Sequence, residues 1–84
     1  MRAFTNFFYL SKASGKNQSD RLWCNIRGYD DLGNPLSLFV APSEVEDVLK
    51  ALAFVNIHES ITAELDIRNS GDGFRISILS IERR

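Results

Sequence analysis

A single helical pattern, placed after three strand-like segments and before two more, constrains the fold of this 84-residue chain more than any other feature. Its apolar residues recur at intervals of three and four and form one stripe: Val45, Val48, Leu49 and Leu52. Ser43, with Glu46 three residues later, has the form of a capping box. We therefore predict a helix from Ser43 to Ala53.

Three segments with strand character precede the helix. The first, Arg2 to Leu10, is rich in Phe and Tyr and contains no Pro or Gly, and the polar residues Ser11 to Ser19 after it predict a flexible loop. The second, Arg21 to Arg27, alternates polar or aromatic residues with apolar ones. Turn formers at Asp30 to Pro35 separate it from the third, Leu36 to Val40, so we expect these two strands to form a hairpin.

Two more strand-like segments follow the helix. Ile61 to Ile67 alternates apolar with polar residues, as expected for a strand with one buried face. The turn Asn69 to Gly73 leads to a last strand that begins at Phe74. The alternation of this strand slips near Leu79 to Ile81, which predicts a β-bulge there.

Three strands, one helix and two strands predict a mainly β fold with one helix: a five-stranded OB-like (oligonucleotide/oligosaccharide-binding) Greek-key barrel. An open α+β sheet with the helix over one face uses the same elements, and both arrangements fit the sequence. We expect one domain over residues 1–84. A chain this short buries only about 60% of the surface that its unfolded form exposes, which leaves little room for a second core or a deep cleft.

Several classes of protein conflict with the residue content. Cys24 and His58 are the only residues of their types, so one chain cannot build a zinc site from these ligands. The longest apolar run, Ala51 to Val55, is far below the about 18 residues that a membrane helix needs. The single cysteine excludes an internal disulfide framework. We expect a cytoplasmic, non-enzymatic protein with no membrane partner, no metal and no cofactor.

Basic charge is concentrated near the N-terminus, although the whole chain has a net charge of -1. Residues 1–29 contain five Lys or Arg against Asp20 alone, a net charge of +4. Residues 30–69 have a net charge of -6, and residues 70–84 have +1. The N-terminal hairpin is therefore the part best suited to a phosphate backbone.

The second predicted strand contains the candidate binding residues. Alternation places Leu22, Cys24 and Ile26 toward the core and a basic and aromatic row on the other face. Guanidinium groups suit phosphates and flat rings suit bases, as single-stranded nucleic acid requires. Phe39 on the third strand adds a neighbouring ring, and the loop with Lys12 and Lys16 is free to close over a bound strand. The predicted nucleic-acid-binding set is Lys12, Lys16, Arg21, Trp23, Asn25, Arg27, Tyr29 and Phe39.

The aromatic residues also allow a structural interpretation. Trp23 could pack under the helix or in a dimer seam, with the arginines as solvated charges. In the first strand, Phe4 and Phe8 share one face, and Phe7 and Tyr9 share the other. One pair belongs to the core, and the second is a binding platform or an oligomer interface. We therefore expect a homodimer.

A second function also fits the sequence. The acidic middle of the chain, Glu44 to Asp47 with Glu64 and Asp66, could dock on a partner protein. The chain would then be a small phage or plasmid factor that binds a host protein, and its aromatic first strand would be the dimer seam.

In length, in its hairpin segment Asp31-Leu32-Gly33-Asn34 and in the basic end Arg83-Arg84 of its C-terminal hairpin, the chain resembles the small single-stranded-DNA-binding proteins of phages and mobile elements, including filamentous phages. The resemblance implies an OB-type dimer that coats single strands cooperatively, without a cofactor, during replication. It assigns base stacking to Trp23, Tyr29 and Phe39. It assigns phosphate contacts to Arg21, Arg27 and Lys16.

Overall fold

Five strands and one α-helix form in the order that the sequence patterns predict. The computed structural model describes residues 1–83. The elements are β1 (Arg2–Lys16), β2 (Leu22–Tyr29), β3 (Pro35–Val40), a 3-10 turn (Pro42–Glu44), α1 (Val45–Leu52), β4 (Ser60–Asn69) and β5 (Phe74–Arg83).

The strands close into a barrel in the order β1-β2-β3-β5-β4. Neighbouring strands are antiparallel except β3 and β5, which are parallel and join through only two residue pairs, Phe39 with Ser77 and Val40 with Ile78. The predicted mainly β, OB-like barrel with a helix between the third and fourth strands is confirmed, and the open sheet is excluded.

The core lies inside the barrel and under α1. The helix contributes the buried side chains of Val45, Val48 and Leu52, as the apolar stripe predicts. Ile61, Ala63 and Leu65 supply the inner face of β4. The other core residues are Phe7, Tyr9, Cys24, Ile26, Val40, Ile78 and Ile81. Phe7 and Tyr9 are therefore the core pair of the first strand, and Phe4 and Phe8 face outward.

The predicted loop over Ser11–Ser19 is wrong. β1 continues to Lys16 and stays paired with β2 to its end, where Lys16 opposes Leu22. Only residues 17–21 connect the two strands. Backbone pairing with β2 holds the segment as a strand although its side chains are polar and exposed, so no apolar pattern marks it.

Two irregularities change the direction of side chains in the sheet. The predicted bulge in β5 is confirmed, because the register with β4 shifts at Leu79. A second bulge lies at Leu10 in β1, between the pairs of Tyr9 with Gly28 and Ser11 with Arg27. It reverses the face on which all later residues of β1 lie.

The helix begins later than predicted. Pro42–Glu44 form a 3-10 turn, α1 starts at Val45, and no side chain caps its N-terminus. Ser43 Oγ donates instead to Glu44 Oε1 at 3.4 Å, so the predicted capping box is wrong. No helix within residues 1–83 is long and apolar enough to cross a membrane.

Candidate nucleic-acid interface

The candidate interface is the outward surface of β1, β2 and β3 beyond the Leu10 bulge. We call this surface, centred on Trp23, Asn25, Arg27 and Phe39, the outer face. Directly opposed residues in antiparallel strands point to the same side of the sheet. The outer row of β2, made up of Trp23, Asn25 and Arg27, opposes small residues of β1: Gly15, Ala13 and Ser11. On its other side the row faces Phe39 and Ser37 of β3.

The Trp23 indole packs against the backbone of β1 at Gly15. A Cβ atom added to Gly15 would be 3.2 Å from the Nε1 atom of Trp23 and 3.4 Å from two carbons of the indole. The ring therefore rests against the one residue of β1 that has no side chain, and 38% of Trp23 stays exposed. Trp23 does not pack under α1, so of the two structural interpretations only the dimer seam remains.

Phe39 places a second ring beside Trp23. It is 62% exposed, whereas Val40 is buried and Leu38 packs against the core, as predicted. Because Phe39 opposes Asn25, it is the diagonal neighbour of Trp23, and such neighbours lie about 7–8 Å apart in a sheet. Two exposed rings at this spacing can each stack on one base.

Two arginines supply positive charge without internal partners. Arg27 is exposed on the outer row, and within residues 1–83 it forms no ion pair. Arg75 reaches the same surface through β5, since Ser77 pairs with Phe39 and Arg75 lies two residues earlier on the same face. Arg75 also has no ion pair among the residues that the structure describes. Sequence reasoning missed Arg75 because only the parallel pairing of β3 and β5 brings it here.

Three of the predicted cations do not join the outer row. Lys12 and Lys16 oppose Ile26 and Leu22, which puts them on the other face of the sheet, and Lys16 pairs with Asp20 at 3.6 Å. The bulge at Leu10 causes this reversal. The prediction that both lysines lie in a mobile loop is therefore wrong.

Arg21 is the third of these cations. It lies before β2 rather than on its outer row. It lines a groove with Ser43, Glu46 and Asp47, next to the start of α1. Arg21 thus borders the acidic start of the helix.

Tyr29 lies at the far end of the outer row in a cluster of rings. It stacks on Phe8 with centroids 5.1 Å apart and planes inclined by 22°. Its hydroxyl is hydrogen-bonded to Nδ1 of His58 at 2.9 Å. One face of the Tyr29 ring is therefore already covered. His58 is an exposed loop residue, and sequence reasoning missed its contact with Tyr29 because only the fold brings the two side chains together.

Cys24 lies directly beneath the outer row, on the core side of β2. Burial raises the pKa of its thiol, and the nearby charge of Lys12 offsets part of that rise. The thiol is protonated at neutral pH and acts as a small apolar core residue, as predicted. Within residues 1–83 no group of three or more His, Cys, Asp or Glu side chains is arranged to hold a metal ion.

Most carboxylates on the strands are neutralised locally. Arg2 pairs with Glu64 at 3.5 Å, and Arg68 pairs with Asp66 at 2.6 Å. Both Nε and Nη2 of Arg83 donate to Glu59, which holds the pKa of that carboxyl below its usual range. Some acidic groups have no ion pair in the described part of the chain. They include Glu44 in the 3-10 turn and Glu46 and Asp47 in α1.

Comparison of the chain with protein-family models, with curated proteins and with solved structures gave no match.

Proposed function

We propose that this protein is a non-enzymatic, sequence-tolerant single-stranded-DNA-binding protein that acts in the cytoplasm during phage or mobile-element replication. One observation carries the proposal. The open indole of Trp23, the exposed ring of Phe39 and the unpaired guanidinium of Arg27 share one face of the barrel. This combination provides two stacking surfaces and a phosphate contact on the same face of the sheet.

Binding begins with electrostatic capture. Arg27 and Arg75 attract the phosphates, and within residues 1–83 neither has an ion pair to break. The slightly acidic net charge does not oppose this step, because the strand carboxylates Glu64 and Asp66 are already paired with arginines. The local potential at the binding surface, rather than the total charge, governs the encounter.

Stacking then supplies most of the affinity. Trp23 and Phe39 are solvent-exposed in the free protein, so a base laid on each ring removes apolar surface from water. Base-ring stacking contributes about 1–3 kcal/mol per base and accepts any base. The small residues of β1 beside Trp23, such as Ala13, leave room for the strand to lie flat.

Titration of the full chain with a mixed-sequence single-stranded oligonucleotide tests the proposal, with Trp23 fluorescence as the signal. Bound bases should quench the fluorescence at low salt, and added salt should restore it. Phe39→Ala should weaken binding roughly 5- to 100-fold, in line with the loss of one stacked base. Phe54→Ala is the matched control, because Phe54 is 72% exposed but lies beyond the C-terminal end of α1. No quenching, together with no binding by a second method, would contradict the proposal.

A second function, docking on a partner protein through acidic residues, is favoured by the unpaired carboxylates Glu46 and Asp47 of α1. The double variant Glu46→Lys/Asp47→Lys separates the two functions. It should leave oligonucleotide affinity unchanged or slightly raised if the protein binds DNA through the outer face. If the acidic helix is the working surface, the same variant should abolish capture of the protein partner.

A further inference from the structure

Asn25 occupies the centre of the outer face. It lies between Trp23, two residues earlier on β2, and Arg27, two residues later, and it directly opposes Phe39 on β3. A base stacked on either ring would therefore have the Asn25 side chain beneath its edge. The chemistry that Asn25 presents to that edge depends on which way its amide points.

Ser37 contacts the carbonyl side of the Asn25 amide. The Ser37 hydroxyl donates to Oδ1 of Asn25 at 3.0 Å, which occupies the carbonyl side of the amide. Nδ2 has no hydrogen-bond partner among residues 1–83. Because no buried side-chain nitrogen or oxygen in this range lacks a partner, Nδ2 is accessible to solvent. Asn25 thus presents the N–H donors of Nδ2 to the outer face, while one of the two acceptor sites of Oδ1 is engaged by Ser37.

A base that stacks here turns its distal edge toward the sheet. The phosphates stay with the long side chains of Arg27 and Arg75 in solvent, so the edge farthest from the sugar reaches inward. This edge carries a keto oxygen in thymine, uracil and guanine and an amino group in cytosine and adenine. An N–H donor pairs with the keto oxygen and opposes the amino group.

We propose that Asn25, oriented by Ser37, makes this interface prefer keto bases over amino bases. The inference rests on the proposed function and deepens it, because it names the bases that a sequence-tolerant stacking surface binds best. The preference is modest, since stacking on Trp23 and Phe39 accepts every base and only one hydrogen bond per site discriminates.

Oligodeoxyuridine and oligodeoxycytidine of equal length are the matched probes. The two bases are the same size, and neither has a methyl group. At the distal edge, uracil carries a keto oxygen and cytosine carries an amino group. At neutral pH we expect the native chain to bind the uridine oligomer about fivefold more tightly, the change typical of one hydrogen bond between neutral groups. Affinities are measured by Trp23 quenching and, independently, by anisotropy of labelled oligomers.

Two variants test whether Asn25 is the origin of the preference. Asn25→Asp retains an acceptor for the Ser37 hydroxyl and replaces the Nδ2 donor with an acceptor, so the ratio of affinities should invert in favour of the cytidine oligomer. The added negative charge weakens both probes and cancels in the ratio. Ser37→Ala removes the group that orients the amide, so the ratio should fall to about one while stacking persists.

The outcomes separate this inference from the proposed function. Equal affinity of the native chain for both probes overturns the keto preference and leaves single-strand binding intact. A preference that survives in both variants also overturns it, because its origin then lies elsewhere. If neither probe binds, the proposed function and the inference fail together. The inference is supported if the native chain prefers the uridine oligomer fivefold, Asn25→Asp inverts this ratio of affinities, and Ser37→Ala reduces it to about one.

Discussion

At the residue scale, two glycines shape the pairing of β1 with β2 for different reasons. Gly15 leaves space for a side chain, because the Trp23 indole lies 3.2 Å from the position that its Cβ would take. Gly28 leaves space for the backbone, because a Cβ there would overlap the carbonyl oxygen of Phe8 and approach Phe7 Cδ2 to 2.8 Å. A flexible ring can shift and a paired backbone cannot, so the two positions should respond differently to the same substitution.

Gly28→Ala should lower the free energy of unfolding by about 3 kcal/mol, near the upper end of the cost of overpacking. Urea denaturation of native and variant chains measures the difference. Gly15→Ala is the control: its stability should change by less than about 1 kcal/mol, while the displaced indole alters Trp23 fluorescence. Equal stability of Gly28→Ala and the native chain would show that β1 and β2 separate easily at this point.

At the scale of elements, the turn between β2 and β3 is organised by one carboxylate. Asp30 Oδ1 accepts from the backbone N–H groups of Leu32 at 3.0 Å and Asn34 at 2.8 Å. The hydrogen bond from the Asn34 backbone is the largest cause, and together the two bonds hold the pKa of Asp30 below its ordinary value. The turn aligns the strands that contain Trp23 and Phe39, so its stability bears on the spacing of the two rings.

Asp30 should therefore make stability dependent on pH. A carboxyl whose pKa is lower in the folded state stabilises the fold above its unfolded pKa, and this contribution is lost as pH falls through the folded pKa. Asp30→Asn should melt at a lower temperature than the native chain at neutral pH, and the difference should shrink in acid. Thermal denaturation at several pH values measures it, with Asp31→Asn, at an exposed neighbouring site, as the control. A difference that is constant with pH would mean that the charge is not the cause.

At the scale of the whole molecule, charge is distributed so that one face of a nearly neutral protein can hold phosphates. Affinity for a single strand should fall as salt rises, with a log-log slope of about 0.7 per phosphate contact. Arg27→Ala and Arg75→Ala should each reduce that slope by about one contact, whereas Lys50→Ala, in the last turn of α1, should not. Titrations at several salt concentrations measure the slopes, and an unchanged slope in both arginine variants would exclude this face as the phosphate site.

The oligomeric state is a second property of the whole molecule. Phe4 is 72% exposed on the outward side of β1, where no element within residues 1–83 covers it, so we expect it to contribute to a homodimer. Sedimentation equilibrium should give the mass of two chains, and Phe4→Ser should shift the protein toward the monomer. Phe54→Ser is the control, because Phe54 is equally exposed outside the strands. A monomeric native chain at high concentration would contradict the expectation.

The sequence by itself determined the order of elements and most of the core, but not which aromatic pair of β1 is buried. The stripe of α1, the alternation of β4 and the bulge at Leu79 were all predictable. These are local patterns, because one face of each element must leave water and its period is visible within a few residues. The outward direction of Trp23 and Phe39 follows from the same alternation.

Only the tertiary structure decided which charges share the face with these rings. The Leu10 bulge turns Lys12 and Lys16 away, and the parallel pairing of β3 with β5 brings Arg75 in. The contact of His58 with Tyr29 depends in the same way on tertiary structure, because the segment between α1 and β4 brings His58 beside β2. The physical reason is that pairing between distant strands sets the register. A shift of one residue then changes the face of every later side chain without leaving a mark in the local pattern.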